Sequence, residues 1–399
     1  MQVSINLTLL IDNYNVHTTS LRYIGNLFVE AEILPDLKFK SSWGADYNNY
    51  NESEYWDTFL LLGAQGGYAT SGITQFTSLL NEQTLTYNKK FGQHSLRVLA
   101  GNTLQRDVQT RTYADGRGFP NNSYTQISSA STTTSTQSWT KATLASFFSS
   151  VGYNYGEKYF LDLSLRADGS SRFGNANKWG YFPSAGVAWR IKDEGFLKDI
   201  ATVSNLKLRA SYGLTGNQNG IGNFAAQGLW NGGNGYQGNP GTAPLSLANP
   251  NLKWERTKQL NIGVDLGLFS NRLNFEFNVY DKYTTDGLLQ INLPGTSGFS
   301  TYWSNAAEIS NKGFELGITS TNIKRNGLQW TTSFNVSQNI NNIEKLSTPL
   351  KYGSRDLILQ QQGHPLYSFW VYKQLYVDPQ TGNAVYQDVN GGGGGGGGG

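Results

Sequence analysis

The stretch Gln259-Leu-Asn-Ile-Gly-Val-Asp-Leu-Gly-Leu-Phe-Ser270, followed after only Asn271 and Arg272 by Leu273-Asn-Phe-Glu-Phe-Asn-Val-Tyr280, decides the fold. Side chains on a β-strand point to opposite faces in turn. Leu260, Ile262, Val264, Leu266 and Leu268 therefore share one face, and Gln259, Asn261, Gly263, Asp265 and Gly267 the other. The second segment repeats the pattern, setting Leu273, Phe275, Phe277 and Val279 against Asn274, Glu276, Asn278 and Tyr280. Two such runs joined by a minimal link form a hairpin with one apolar and one wet face.

Working outward, the same pattern recurs in hairpin after hairpin, and no 3.6-residue period is sustained. The connections alternate in length. Leu34 to Asp36, Lys90 to Gln93, Gly156 to Lys158, Ser270 to Asn271 and Ile323 to Gly327 are short; Asn48 to Leu80, Gln105 to Ser138, Gly216 to Trp254 and Asp286 to Glu308 are long and rich in Gly, Asn, Ser and Thr. Ser171 to Lys178 is a short member of the long set, and Lys192 to Asn205 a long member of the short set. Outer-membrane barrels have short periplasmic turns and long extracellular loops, so the sorting assigns a side to every link. The expectation is an all-β chain, an antiparallel transmembrane β-barrel contributing about twelve strands of a larger barrel.

The composition fits. Charged residues are 15% and aromatics 13% of 399 residues, with 47 Gly, against roughly 25% charged in soluble domains. Mean hydropathy is −0.44, and no run approaches the ~20 apolar residues a membrane helix needs. A barrel escapes that demand because only alternate residues face lipid. The net charge of +3 comes from dispersed residues, without the basic stripe that nucleic acid requires. There is no cysteine, hence no disulfide or thiolate site. Tyr153, Tyr155, Tyr159 and Phe160 surround one turn, and Trp179, Tyr181 and Phe182 adjoin the next loop, as an aromatic interface belt would.

Met1 is followed by no basic, apolar or cleavable segment of the export type. The expectation is an internal piece of a longer protein, with residues 1–390 one partial barrel domain. Gly391 to Gly399, nine glycines in a row, form a tail outside the fold, a linker or assembly artefact.

Several phrases go beyond pattern. Lys158-Tyr-Phe-Leu-Asp-Leu-Ser-Leu-Arg-Ala-Asp-Gly-Ser-Ser-Arg-Phe-Gly174 and Trp179-Gly-Tyr-Phe-Pro-Ser-Ala-Gly-Val-Ala-Trp-Arg190 closely resemble the SusC/RagA family of TonB-dependent outer-membrane transporters. So do Asn205-Leu-Lys-Leu-Arg-Ala-Ser-Tyr-Gly-Leu-Thr-Gly-Asn217, Asn249-Pro-Asn-Leu-Lys-Trp-Glu-Arg-Thr257 and Glu308-Ile-Ser-Asn-Lys-Gly-Phe-Glu-Leu316. The resemblance spans about Leu21 to Asn390. It implies a barrel in the outer membrane of a Gram-negative, Bacteroidetes-type bacterium that imports oligosaccharides or peptides. It also implies a SusD-like surface lipoprotein as lid, and the TonB complex acting through a plug domain that this chain does not include.

No catalytic constellation is present, so neither an enzyme nor a cofactor is expected. His17, His94 and His364 lie far apart in sequence, and Asp388 with Asn390 is too sparse for calcium. Asp162 and Asp168 fall on the wet face as wall residues, and Gly232 to Gly241 lacks phosphate-loop spacing. Aromatic faces beside amides hold sugars and peptides, which makes Trp230, Tyr236, Tyr302 and Trp303 the substrate-contact candidates, beside Asn231, Asn234 and Gln237. Rings that merely pin loops are the plainer reading. Two alternatives remain open: a passive porin or surface adhesin on a similar barrel, and a soluble all-β carbohydrate-binding protein whose apolar faces meet each other.

Overall fold

A computed structural model describes residues 7–64, 66–353 and 356–387. Asp388, Asn390 and the glycine tail lie outside the described residues. A single α-helix, Leu7–Asn13, precedes the strands. These are β1 (Tyr14–Leu34), β2 (Leu37–Trp56), β3 (Tyr68–Phe91), β4 (His94–Arg117), β5 (Thr132–Tyr155), β6 (Tyr159–Ser170), β7 (Trp179–Arg190) and β8 (Val203–Asn217). Two three-residue strands, β9 (Trp230–Gly232) and β10 (Thr242–Pro244), interrupt the next loop. The wall resumes with β11 (Glu255–Leu268), β12 (Leu273–Asn292), β13 (Thr301–Arg325) and β14 (Leu328–Leu346). Short strands β15 (Leu350–Tyr352) to β19 (Ala384–Tyr386) form small separate sheets.

The wall is one antiparallel sheet of 12 strands, each hydrogen-bonded to the next in chain order except that β8 pairs directly with β11. Among the described residues β1 and β14 are its two edges. The register aligns side chains of one kind across many strands. Leu161, Val187, Ala210, Ile262, Val279 and Phe314 stand abreast on six successive strands. One position along lies the polar row Asp162, Gly186, Ser211, Asn261, Tyr280, Gly313 and Asn339.

Burial runs opposite to that of a water-soluble sheet. Leu260 is 43% and Ile262 46% exposed, whereas their neighbours Gln259 and Asn261 are more covered. Leu161, Leu163, Leu165, Val187, Phe277, Val336 and Ile340 are likewise exposed. Removing such a side chain from water is worth roughly 1.5–3 kcal/mol. Even half of that, summed over these residues, rivals the ~5–15 kcal/mol by which a whole domain is stable. An apolar face this large needs a nonaqueous neighbour, and the soluble carbohydrate-binding alternative, which requires apolar faces to meet, does not describe this sheet.

Strands β1 to β5 run 20 to 24 residues, while ~9–11 cross a bilayer. The excess lies on the long-link side and corrects three expected loops. Most of Asn48–Leu80, Gln105–Ser138 and Asp286–Glu308 is strand, leaving loops of only 57–67, 118–131 and 293–300. Beyond the apolar band no face is uniformly apolar, so the alternation disappears from the sequence while the backbone still pairs. Gly216 to Trp254 does remain a loop, over 218–254, as do 171–178 and the longer inner link 191–202.

At the short-link end, Tyr155, Tyr159 and Trp189 form an outward row with ring centroids 6.4 Å apart at each step. Glu194 in the inner link accepts from Tyr159 Oη (2.6 Å) and Trp189 Nε1 (3.1 Å). Those bonds outweigh the opposing effect of burial and, with a lesser contribution from Lys158, hold its carboxyl below the usual range. Phe160 and Phe182 occupy even positions and turn to the polar face, away from the aromatic belt expected of them. Phe160 lies under Arg190 and Lys207, and Phe182 packs into the loop cluster described below.

Candidate functional site

The polar face carries a wall of paired charges. Arg209 on β8 clamps Asp265 on β11 through Nε (2.9 Å) and Nη2 (2.6 Å), and Nη2 also donates to Asn278 Oδ1 at 3.0 Å. Gly263 lies beneath the guanidinium, and a Cβ there would collide with Asn278 and Arg209. Nearer the long loops, an open recess of about 840 Å³ is lined by Arg97, Asp162, Ser164, Arg166, Asp168 and Gln259. Arg166 Nε donates to Asp168 at 2.7 Å. Asp162 and Asp168 thus stand on the wet face with cationic neighbours.

Above this wall the loop 218–254 is fastened down. Phe173, Phe182, Ile221, Ala226, Leu252 and Trp254 form the largest buried apolar cluster among the described residues. The segment Asn249-Pro-Asn-Leu-Lys-Trp254 supplies most of its polar fastening. Asn249 Oδ1 accepts from the Asn251 backbone N–H (3.0 Å), an Asx turn of the kind Asn-Pro favours. Its Nδ2 donates to the Trp303 carbonyl (2.8 Å). Trp254 Nε1 donates to the Lys178 carbonyl (2.8 Å), and the Gly174 N–H to the Leu252 carbonyl (3.0 Å). A Cβ on Gly174 would strike the Pro250 carbonyl, so the two loops meet backbone to backbone. Asn305 Nδ2 donates to the carbonyls of Lys253 and Asp286, and Asp286 accepts from Lys253 Nζ (2.9 Å) and Arg256 Nη2 (3.1 Å). Burial is the largest single influence on Asp286 and opposes its ionisation. The bonds and charges of Lys253 and Arg256 together outweigh it and hold the carboxyl below its usual range.

The sequence candidates separate into two groups. Trp230, in β9 opposite Pro244, is 66% exposed, and Tyr236, bridged to Asn239, is 76% exposed. Both sit toward the free end of the loop. Gln237 occupies the turn with φ 49°, and Asn234 Nδ2 is engaged by the Asn231 and Gly232 carbonyls. Tyr302 and Trp303 lie in β13, opposite Ile291 and Gln290, where a loop was expected. Trp303 packs against the buried cluster. The fastening residues Asn249, Asn305 and Asp286 were not singled out, although the Asn-Pro-Asn turn signal was visible.

Residues 7–393 match the family model described as TonB dependent receptor-like, beta-barrel. TonB-dependent receptor P3 of Formosa agariphila is 36% identical over 367 residues, covering 88% of this chain and 37% of that receptor. TonB-dependent receptor SusC of Bacteroides thetaiotaomicron is 30% identical, covering 91% of this chain and 38% of SusC. The chain thus spans well under half the length of these relatives. The solved RagAB peptide transporter superposes with a TM-score of 0.84 at 26% identity, over 94% of this chain and 42% of that one. The siderophore receptor PiuA of Acinetobacter baumannii, 14% identical with a TM-score of 0.53 over 88% of this chain and 50% of its own, shares the fold. Strand order, inverted burial and these matches agree: the chain belongs to the SusC/RagA group of TonB-dependent receptors and forms twelve strands of the transmembrane barrel wall.

Proposed function

We propose that this chain supplies part of the wall and the outer loops of a nutrient importer in the outer membrane, taking up oligosaccharides or peptides with energy delivered by TonB. The carrying observation is the division of one sheet into an apolar outer face and a charged inner face, capped by a long loop fastened to two neighbouring hairpins. A polar wall lets hydrophilic cargo pass without desolvation, and a fastened loop keeps its exposed rings at the mouth. Trp230 and Tyr236, the most exposed of the four candidates, contact the cargo, while Trp303 and Tyr302 hold the loop base. The plug through which TonB acts and a SusD-like lipoprotein lid complete the importer, and the RagAB likeness supports this arrangement. No catalytic step and no cofactor are assigned to the chain.

Uptake of labelled oligosaccharide and peptide libraries by cells with and without the gene tests the reading. Import that requires the gene and stops when the proton gradient is collapsed supports it. Uptake that persists without the gradient would establish the passive-porin alternative instead.

A further inference from the structure

The outward face carries a feature that the transport reading leaves unused. Between Trp43 on β2 and Trp179 on β7 the apolar face sinks into an open trough of about 990 Å³, at the upper end of the ~300–1,000 Å³ typical of ligand pockets. The cause is a change of side-chain size along one cross-strand row. Trp43, Asn81 and Leu104 are followed by Ala145 and Gly169, and then by Trp179. Leu79 extends the apolar floor, and Asn81 satisfies its Nδ2 on the Ser42 carbonyl.

One end of the trough is cationic. Arg106 shares the outward face of β4 with Leu96, Val98, Ala100 and Leu104 and is exposed. Ten residues separate it from Leu96. At about 3.4 Å per residue on a strand tilted about 40°, that is a rise of about 26 Å, the height of a barrel's apolar band. Arg106 therefore stands at the outer edge of the band. Its partner across the ladder is Thr143, two residues from Lys141 on the same face of β5, which is within diagonal reach. Among the described residues neither cation has a carboxylate within ion-pair distance, whereas Lys312, also outward, faces Asp281 at 3.4 Å.

We propose that the trough seats the acyl chains of a phosphorylated lipid whose phosphate is held by Arg106 and Lys141. Arg106 lines the groove and Lys141 stands one diagonal step beyond its edge; two such cations without counter-charges, beside an apolar groove that continues the lipid-facing band, match a headgroup phosphate with its chains lying inward. A guanidinium also suits the forked oxygens of phosphate. The inference rests on the barrel standing in a membrane.

The test is native mass spectrometry of the protein as its host makes it, purified in detergent and offered dioleoyl phosphatidic acid or dioleoylglycerol, which differ only in the phosphate. The wild type retains phosphatidic acid well above dioleoylglycerol. Arg106→Gln with Lys141→Gln lowers that retention tenfold or more, and Ala145→Trp, which fills the trough, abolishes it. Lys312→Gln, whose ammonium is already paired, leaves it unchanged. Equal retention by the double variant and the wild type overturns the lipid seat while leaving the transport reading intact. A shift in oligomeric state with no change in bound lipid also overturns it, by showing that the face joins copies of the chain. Failure of the wild type to float with liposomes overturns both the seat and the membrane reading.

Discussion

Asn249 Nδ2 donates to the main-chain carbonyl of Trp303 across 2.8 Å, tying the base of the longest loop to a strand 54 residues further along the chain. Asn249 is itself buried, 7% exposed, so losing the donor leaves a covered carbonyl without its partner. That costs about 1–3 kcal/mol.

The variant Asn249→Asp removes this bond and sets a carboxylate against the Trp303 carbonyl in its place. Aspartate keeps an oxygen for the Asn251 N–H but offers no donor to Trp303. Protease cleavage within 218–254 of the folded protein is expected to rise about tenfold or more, since ~1.4 kcal/mol is a factor of ten in the opening equilibrium. An unchanged cleavage rate would show that the apolar cluster around Leu252 holds the loop unaided.

Acid should release the same loop through Asp286. The folded-state pKa of Asp286 lies below its ordinary 3.8, so its pairing with Lys253 and Arg256 stabilises the folded loop fully above that ordinary value. The contribution is lost as pH falls through the lower, folded-state value. Protection of 218–254 against hydrogen exchange, taken relative to the intrinsic rate at each pH, should therefore fall in that acid window in the wild type. Asp286→Asn, lacking the charge at every pH, should start from a faster rate at pH 7 and show a smaller acid response. Parallel profiles would remove Asp286 from the fastening.

A side chain at Gly263 should cost stability by displacing the Arg209 clamp. A Cβ there meets Asn278 and the Arg209 guanidinium, and displacing Arg209 breaks its clamp on Asp265. Overpacking commonly costs about 1–3 kcal/mol, and a charge left half-covered without its partner adds to that. Gly263→Val is expected to lower the denaturant midpoint of the refolded barrel. Gly295→Val, in the open outer loop with nothing within 4 Å of a Cβ, should leave it unchanged.

The wall was legible because the strict two-residue period from Gln259 to Tyr280 leaves only one assignment of faces. The short links were legible because Gly92, Gly156 and Gly327 mark tight turns through positive φ. The outer ends of the strands were not. From Asn48 to Trp56 and from Tyr68 to Phe76 the few apolar residues keep no two-residue period, so nothing in the pattern distinguishes strand from loop, and only backbone pairing such as Tyr50 with Thr74 does. The loop site was half legible. Trp230 and Tyr236 are visible as exposed rings in a Gly/Asn-rich run, but the role of Asn249 depends on Trp303, which periodicity cannot bring near it.

The division of faces yields the sharpest test of the whole reading. Val264 lies in the middle of the apolar run on β11, between Leu268 at the inner end and Lys258 at the outer, while Asn261 is on the polar face of the same strand. A cation at the lipid-facing midplane of a barrel costs about 2–4 kcal/mol, whereas a lumen-facing one costs little. Val264→Arg should therefore cut the yield of membrane-inserted protein and lower its stability in lipid by that amount, while Asn261→Arg inserts normally. If instead Asn261→Arg were the worse, the face turned toward lipid would be the polar one, and if both inserted equally neither face of this strand would meet lipid. The inverted burial of Leu260 and Ile262 would then need a protein partner to explain it.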